Sequence, residues 1–365
     1  MSGPTTKTLL ALPMHGEAKL RTEGLRTRDG HLLEWVGRIR PDLTVHLHSR
    51  PEPWPRVTLA RRRGADLPPT WRCASPEPLA VPPLRDRRRW WVTSARYDRP
   101  WPARVDAVLV WNPIATRAHG SSRMPIGLDL LDDWLIHPAF EGIRREVRRG
   151  YEEWFDVADS VTANSEGTLE LARSFGRTDA VLVPNGCDPD RFSVEHTPGS
   201  RFTVGYGGKL SERLDVELLS ECALAMPEVS FELAGPVMMR GLRRRFRRLD
   251  NVILLGDVPY PDYPRVMRGW DMAWVPHRVG RGEVGGDAIK LYEYRAAGLP
   301  TVTTKIIGWQ RALQGVQALD RAEICPALKR LSAGGPGSLR RSPVVVPVEH
   351  TWRFKAEMVL DRLGI

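Results

Sequence analysis

Three charged residues in the last third of the chain, Asp287, Lys290 and Glu293, follow one another at intervals of three. On a helix this spacing places them on roughly one side, while the other side carries apolar residues typical of a buried face. A carboxylate has paired acceptor oxygens that suit a diol, and a lysine can neutralise a phosphate. The stretch therefore predicts either a solvated row of ion pairs or a site for a ligand with hydroxyls and phosphates.

A second group of candidates follows the strand-like sequence FTVGY, at GGKLSER. Gly207 and Gly208 let the backbone approach a ligand closely, and Lys209 and Arg213 add two positive charges. Small residues, cations and a helix N-terminus together suit a diphosphate. The same residues are equally typical of a tight strand–helix turn with surface charges, so both interpretations stay open at this point.

Polar residues also follow two predicted strands in the first half of the chain. His15 and Gly16 come after the first strand, and Asp132, Asp133 and Trp134 end the sequence GLDLLDDW. Aspartates can hydrogen-bond sugar hydroxyls, and an indole stacks on sugar C–H faces. The alternatives are that Asp133 only caps the following helix and that the histidine lies exposed on a loop.

These candidates need a framework that brings the ends of several strands together. Short apolar runs alternate with amphipathic segments along the chain, which predicts parallel β-sheets covered by helices. The polar segment 186–200, which carries Pro and Gly, separates two such series and is typical of a linker. Because ligands of such sheets bind beyond the carboxyl ends of the strands, we expect a site in a cleft between two facing sheets.

The predicted elements fall into two series. Strands are predicted near 7–13, 42–49, 89–94, 106–113, 124–131, 160–165 and 180–186, then near 201–208, 229–235, 251–256, 271–276 and 300–304. Helices are predicted near 30–40, 138–157, 166–175, 211–225, 260–269, 287–297 and 350–363.

Length and composition limit the protein classes. A chain of 365 residues that is 42% hydrophobic is expected to form two globular domains, with no membrane-spanning helix and no signal peptide. The four cysteines lack metal-ligand spacing, which indicates free thiols in a reducing compartment. A net charge of +10 favours phosphate-bearing partners, and the arginine-rich stretches 85–91 and 240–250 suit a membrane surface, nucleic acid or plain solvation.

Five motifs in order resemble one family. The sequence KLYEYRAAGLPTVTT is similar to the nucleotide-sugar segment of retaining glycosyltransferases of family 4, a bacterial group with the two-Rossmann GT-B fold. The same family is resembled by VTANSEGTLELARSFG, VLVPNGCDPDRF, GYGGKLSERLD and NVILLGDVPYPDYPRVMRGWDMAWVP. The resemblance covers about two-thirds of the chain and is strongest from residue 160 to residue 304.

The resemblance implies roles for the matched residues. Glu293 should hold the donor ribose, and Lys209, Arg213 and Lys290 should contact the donor diphosphate, with Gly207 and Gly208 bringing backbone close to it. The family commonly has a second glutamate eight positions earlier, where this chain has Gly285. Glu283 and Asp287 flank that position, so either is a candidate for the missing donor-sugar contact.

The resemblance also implies the domain plan. The N-terminal Rossmann-like acceptor domain is expected at 1–188, with the helix 350–365 packing back on it, and the C-terminal donor domain at 189–349. Candidate catalytic residues are Asp132, Asp133, Lys209 and Arg213, and candidate acceptor contacts are His15, Gly16, Asp133 and Trp134.

We expect transfer of a sugar from a nucleotide diphosphate donor to an acceptor hydroxyl with retention of anomeric configuration, without a metal or other cofactor. Cell-surface polysaccharide, glycolipid and natural-product glycoside synthesis are all open pathways. A cytoplasmic location is expected, with peripheral membrane contact through the arginine-rich stretches, while nucleic acid is not an expected partner. The alternatives are a nucleotide-sugar epimerase or hydrolase on the same fold, and a non-catalytic protein that binds nucleic acid or membrane.

Overall fold

The computed structural model describes residues 7–49, 52, 54–64, 66–73, 101–116, 124–280 and 283–365. The chain forms two compact units. The first contains residues 1–184, the short segment Val284–Gly286 and the C-terminal residues Trp352–Ile365, and the second contains Asn185–Glu283 and Asp287–Thr351. The expected boundary after residue 188 thus lies four residues beyond the change of unit after Pro184.

The first unit is built on a parallel sheet of seven strands in the order β3-β2-β1-β4-β5-β6-β7. The strands are β1 (Lys7–Leu12), β2 (Leu43–Leu47), β3 (Trp71–Cys73), β4 (Ala107–Val110), β5 (Ile126–Leu130), β6 (Ser160–Ala163) and β7 (Val181–Leu182). The α-helices of the described residues are Glu17–Glu23, Arg28–Ile39, Trp54–Arg63, Arg144–Val157, Glu166–Ser174 and Trp352–Leu363, and a 3-10 helix spans Pro138–Ile143.

Strand β4 shows why the sheet is parallel and covered on both faces. All four of its side chains are buried, which is the pattern of a central strand with helices on either side rather than the alternation of a half-exposed strand. The C-terminal helix Trp352–Leu363 covers part of this sheet. Trp352 stacks on His31 at a centroid distance of 4.7 Å, and the Leu363 side chain lies against Gly127 in β5.

The second unit is built on a parallel sheet of six strands in the order β10-β9-β8-β11-β12-β13. The strands are β8 (Thr203–Gly207), β9 (Ser230–Ala234), β10 (Val252–Gly256), β11 (Met272–Val275), β12 (Thr301–Thr304) and β13 (Val316–Leu319). Its described α-helices are Val216–Ala225, Leu242–Phe246, Tyr263–Met267, Ile289–Ala296 and Arg321–Ser332, with 3-10 helices at Pro189–Arg191, Tyr260–Asp262 and Val348–His350.

Two predicted helices of the second unit begin later than the sequence pattern indicated. The helix predicted from 211 begins at Val216, because the Asp215 carboxylate accepts the Leu218 N–H at 2.9 Å and caps the first turn. The helix predicted from 287 begins at Ile289, so Asp287 lies outside it. Among the described residues, no helix is long and apolar enough to cross a membrane. The predicted strand 89–94 lies outside the described residues.

Candidate functional site

The carboxyl end of β8 carries the two glycines, and both positions exclude a larger side chain. The Gly207 N–H donates to the Tyr294 hydroxyl at 2.7 Å, and a Cβ at Gly207 would lie 1.6 Å from the Tyr263 hydroxyl. Gly208 has a φ of +141°, a backbone conformation that favours glycine. Its N–H donates to the Ala234 carbonyl at 2.8 Å. The loop after β8 is therefore bare backbone held tightly in place.

Lys290 extends from the helix Ile289–Ala296 to this bare loop. A Cβ at Gly208 would lie 3.0 Å from its Cε, and its Nζ lies 5.0 Å from the Tyr206 ring centroid. Burial, together with the positive charge of Arg213, lowers the pKa of Lys290 to about 7. Glu293 acts in the opposite direction, and Lys209 adds a smaller lowering effect. The structure thus brings four of the predicted donor-site side chains, Lys209, Arg213, Lys290 and Glu293, close enough to act on one another.

Tyr206 and His277 lie beside this group of side chains, and neither is among the residues predicted from the sequence. The Tyr206 hydroxyl and His277 Nε2 lie 3.0 Å apart, and both residues are buried. Burial, with the charges of Lys290 and Arg213, holds the pKa of His277 well below its usual range. The His277 imidazole beside these cations is therefore neutral and adds no positive charge to the group.

Glu293 is buried at the second turn of the same helix. Its Oε1 accepts a hydrogen bond of 2.9 Å from the Tyr260 hydroxyl. Burial and the neighbouring carboxylate raise the pKa of Tyr260 well above its usual range, so this hydroxyl stays protonated and keeps donating. The Arg191 guanidinium lies 5.6 Å from the Tyr260 ring centroid. Tyr260 is not among the site residues predicted from the sequence, although the segment VPYPDYP that contains it belongs to one of the five motifs.

The arrangement can neutralise a polyanion and accept hydrogen bonds from hydroxyls at the same time. Several cations beside a stretch of backbone that carries no side chains suit phosphate oxygens. A buried carboxylate whose position is fixed by a tyrosine suits a vicinal diol. A nucleoside diphosphate presents both phosphate oxygens and a vicinal diol. The protein residues that suit these groups all belong to the second unit.

Neither acid that flanks Gly285 fits the missing donor-sugar contact. The Glu283 carboxylate accepts backbone N–H groups of Gly280 at 2.8 Å and Ile307 at 2.7 Å. The Asp287 carboxylate accepts the Asn185 N–H and an Arg311 N–H, each at 2.8 Å, and is almost fully buried. Both acids hold loops of the second unit together, which corrects the expectation that Asp287 contacts the donor.

His15 of the first unit is buried rather than exposed on a loop. Its side chain is 2% exposed, and its backbone N–H donates to the Asp29 carboxylate at 3.2 Å. Its ring Nδ1 lies 3.6 Å from the same carboxylate oxygen. Burial alone would raise the pKa of Asp29, but the hydrogen bonds and charge of His15 hold it well below its usual range. Gly16 is the residue before the helix Glu17–Glu23, and the backbone N–H of Glu17 donates to the Ser49 hydroxyl at 2.7 Å.

Asp132 and Asp133 of the first unit have different environments. Asp133 Oδ1 accepts the Leu135 N–H at 2.8 Å, and its own N–H donates to the Val284 carbonyl at 2.7 Å within the same unit. Burial raises the pKa of Asp133. Asp132 is half-buried, and its carbonyl accepts the Tyr151 hydroxyl. Asp133 therefore caps a turn, whereas the sequence alternative was that it caps the following helix, which begins only at Pro138.

Trp134 is part of the core of the first unit. Its side chain is 1% exposed and stacks on Phe140 at a centroid distance of 4.2 Å. This corrects the expectation that its indole provides a face for a sugar. The partner lies only six residues ahead, but the intervening Pro138 and 3-10 helix, which fold the chain back, leave no clear trace in the hydrophobic pattern.

Asp129, which lies in the same sequence GLDLLDDW as Asp132 and Asp133, is a structural residue. Its carboxylate is fully buried and accepts two hydrogen bonds of 2.8 Å from the Arg28 guanidinium, one of 2.6 Å from Trp111 and one of 2.6 Å from Thr162. Both carboxylate oxygens already accept two hydrogen bonds each, so Asp129 is unavailable to a ligand. Among the described residues, no group of three or more His, Cys, Asp or Glu side chains is arranged to hold a metal ion.

The part of the chain that contains Lys290 matches a known protein family. Residues 201–331 match the family of glycosyl transferases group 1. The match runs from the start of β8 almost to the end of the helix Arg321–Ser332, and so contains every side chain of the Lys209–Glu293 group. A curated relative is the Bacillus subtilis (strain 168) protein with the provisional name teichuronic acid biosynthesis glycosyltransferase TuaH.

That relative is 27% identical over 177 residues, which are 45% of this chain and 45% of the relative. The chain therefore matches less than half of the length of the curated relative. Solved structures match over the whole fold: sucrose-phosphate synthase from Thermosynechococcus elongatus has a TM-score of 0.66 at 14% identity, covering 98% of this chain and 94% of that one. Anabaena Alr3699/HepE in complex with UDP and glucose has a TM-score of 0.57 at 15% identity, covering 98% and 97%.

These structural neighbours and the two parallel sheets confirm the predicted fold class. The protein has two Rossmann-like α/β domains, as in GT-B structures.

Proposed function

We propose that the protein is a glycosyltransferase that moves a sugar from a nucleoside diphosphate donor to an acceptor hydroxyl. The observation that carries the proposal is the approach of Lys290 to Gly208 in the loop after β8, with Lys209, Arg213 and Glu293 close enough to act on its charge. The family match at 201–331 supports the same assignment, because it covers all of these residues.

In the proposed mechanism the cations act on the leaving group. As the bond between the anomeric carbon and the diphosphate oxygen breaks, negative charge grows on that oxygen. Preorganised cations and backbone amides stabilise such charge in the transition state, and removing one such group costs about 3 kcal/mol. Lys209, Arg213 and Lys290 would take this role, and Glu293 would hold the ribose diol.

We further propose retention of anomeric configuration by front-face displacement. None of the side chains in the Lys290 group is set up as a dedicated nucleophile, and departure of the diphosphate can be coupled to attack from the same face. We propose that the diphosphate is neutralised by these cations, so that the reaction needs no metal. The first unit, with Asp132 as its half-buried acid, would bind the acceptor.

Uridine diphosphate sugars are the first donors to test. Two neighbouring structures contain Alr3699/HepE with UDP and with UDP-glucose, and a third neighbour is AviGT4, a glycosyltransferase involved in avilamycin A biosynthesis. The names of TuaH and AviGT4 support testing acceptors from teichuronic acid and avilamycin A biosynthesis.

A thermal-shift panel of UDP, GDP, ADP and dTDP tests the donor site directly. We expect one diphosphate to raise the melting temperature of the wild type, and Glu293→Gln to lose most of that gain. The amide keeps the size of the side chain and one acceptor oxygen but loses the charge and the second acceptor. Tyr260→Phe is the matched variant, since it removes only the hydroxyl that orients Glu293. Equal stabilisation of all three proteins would remove Glu293 from the site.

Product analysis separates transfer from its rivals. Turnover of the donor without an acceptor would instead indicate a hydrolase or an epimerase. NMR of the glycoside formed reports the anomeric configuration, and inversion would refute the front-face mechanism. A salt-sensitive shift of DNA on a gel, with no stabilisation by any nucleotide, would indicate a non-catalytic binding protein.

A further inference from the structure

The segment Arg240–Asp250 is the most basic surface of the second unit. It contains six arginines and one aspartate, and all six arginine side chains are exposed. The short helix Leu242–Phe246 is anchored by its two end residues, Leu242 and Phe246, which are buried in the core. The arginines are therefore presented outward by a segment that is itself fixed.

Most of these arginines have no partner among the residues that the structure describes. Arg245 donates to Glu217 at 3.0 Å, where both side chains are about half exposed. Throughout the described part of the chain, no side-chain hydrogen bond or ion pair is formed by the other five, which are Arg240, Arg243, Arg244, Arg247 and Arg248. Five adjacent unpaired cations repel one another and raise the local concentration of any polyanion.

A second segment shows that arginine spacing alone does not create such a surface. The helix Arg144–Val157 has the same pattern of two arginine pairs four residues apart, but it contains four arginines and four acids. One of them, Arg149, pairs with Glu153 at 3.2 Å. That helix is a solvated, neutralised face, whereas Arg240–Asp250 keeps a net charge of +5, six arginines minus one aspartate.

Exposed aliphatic side chains lie on both sides of the arginine segment in the chain. Met238 before it is 59% exposed, and Ile253 and Leu255 in β10 after it are 43% and 38% exposed. β10 is also the edge strand of its sheet. A membrane interface takes up aliphatic side chains as well as cations, whereas single-stranded nucleic acid is bound largely by exposed aromatic rings. The large apolar residues exposed from 236 to 256 are all aliphatic.

The arginine segment is also tied to the candidate donor loop. The Leu210 N–H donates to the Pro236 carbonyl at 3.0 Å, and the Met238 N–H donates to the Leu210 carbonyl at 2.9 Å. Leu210 directly follows Lys209. These bonds join Pro236 and Met238, which lie just before the arginine segment, to the loop that carries Lys209.

We propose that Arg240–Arg248, with Met238, Ile253 and Leu255, binds the surface of an anionic phospholipid bilayer. The arginines attract the phosphate headgroups, and the aliphatic side chains enter the headgroup region. The loop after β8, which carries Lys209, is thereby kept near the bilayer. This membrane contact stands apart from the proposed sugar transfer, since it uses none of the residues assigned to the donor.

Vesicle co-sedimentation of the full chain tests this proposal. Vesicles of phosphatidylcholine alone are compared with vesicles containing phosphatidylglycerol, at low and high salt. The test variant changes Arg243, Arg244, Arg247 and Arg248 to Gln, and the matched control changes Arg144, Arg145, Arg148 and Arg149 to Gln. Each arginine near an anionic surface is worth about fivefold in affinity, so the test variant should bind more than about a hundredfold more weakly.

The expected result is salt-sensitive binding of the wild type and the control to the anionic vesicles only. Two results would overturn the proposal: equal weakening of both variants, or no binding of the wild type to either kind of vesicle. Tighter binding of the wild type to DNA or RNA than to anionic vesicles at the same salt would replace the lipid partner by nucleic acid. UDP thermal shifts of both variants should match the wild type, and their loss would show damage to the donor site instead.

Discussion

The charge of Lys290 should make donor binding depend on pH. Burial and Arg213 lower the pKa of this lysine to about 7 in the ligand-free protein. A bound diphosphate brings negative charge beside its ammonium group, which favours the protonated form and returns the pKa towards its ordinary value of about 10.4. Donor binding therefore takes up a proton, and the donor binds more tightly as the pH falls.

The magnitude follows from the fraction of protonated lysine. With a pKa of about 7, about nine-tenths of Lys290 is protonated at pH 6 and about one-tenth at pH 8. If only the protonated form binds well, the Kd of the donor rises about tenfold between these pH values, which corresponds to about 1.4 kcal/mol. At pH 7, about half a proton is taken up for each donor bound.

Isothermal titration calorimetry with UDP-glucose measures both quantities. A nucleotide sugar is the better ligand because its diphosphate lacks the terminal phosphate group that titrates near pH 6 in a free nucleotide. Titration in two buffers of different ionisation enthalpy gives the number of protons. Lys290→Arg is the control, since its guanidinium stays charged throughout, and its Kd should vary little from pH 6 to pH 8.

Two results would refute this reasoning. An equal wild-type Kd at pH 6 and pH 8 would mean that Lys290 is fully charged without the donor or lies outside the site. The same tenfold change in Lys290→Arg would assign the proton to another group. His277 is not that group, because burial keeps its pKa well below this range and its imidazole stays neutral.

Two further substitutions test the scaffold of the site. Gly207→Ala should lower the free energy of unfolding by about 1–3 kcal/mol, because its Cβ would lie 1.6 Å from the Tyr263 hydroxyl; urea unfolding beside Gly142→Ala, where a Cβ meets nothing within 4 Å, checks this, and equal stability of the two variants would contradict it. Asp287→Asn should weaken the contact with Arg311 and destabilise the protein by about 3 kcal/mol at most, with a donor Kd within about twofold of the wild type; a large loss of donor affinity at unchanged stability would return Asp287 to the donor site.

The order of strands and helices in the second unit was largely predictable from the sequence. The strands β8 to β12 are short apolar runs bounded by polar or turn residues, which is a strong local signal. β13 and the helix Arg321–Ser332 were missed. β13 is a partly exposed strand of four residues, and Pro326 lies inside the helix, so neither shows the usual pattern.

The candidate site was predictable where residues act through the backbone or lie one helical turn apart. The glycine loop after β8 and the pair Lys290 and Glu293 fall into this class, and the structure brings them together. The first unit was harder to predict where the environment of a residue comes from another element. His15, in the loop after β1, contacts Asp29 of the helix Arg28–Ile39, and nothing near His15 in the sequence indicates this partner.

The last helix, Trp352–Leu363, has a consequence for biosynthesis. It belongs to the first unit, although the chain leaves that unit at Pro184 and builds the second unit before returning. A ribosome therefore releases the second unit while the first still lacks the residues that cover His31 and Gly127. The first unit, although most of it is made first, can complete its folding only after residues Trp352–Ile365 have been translated.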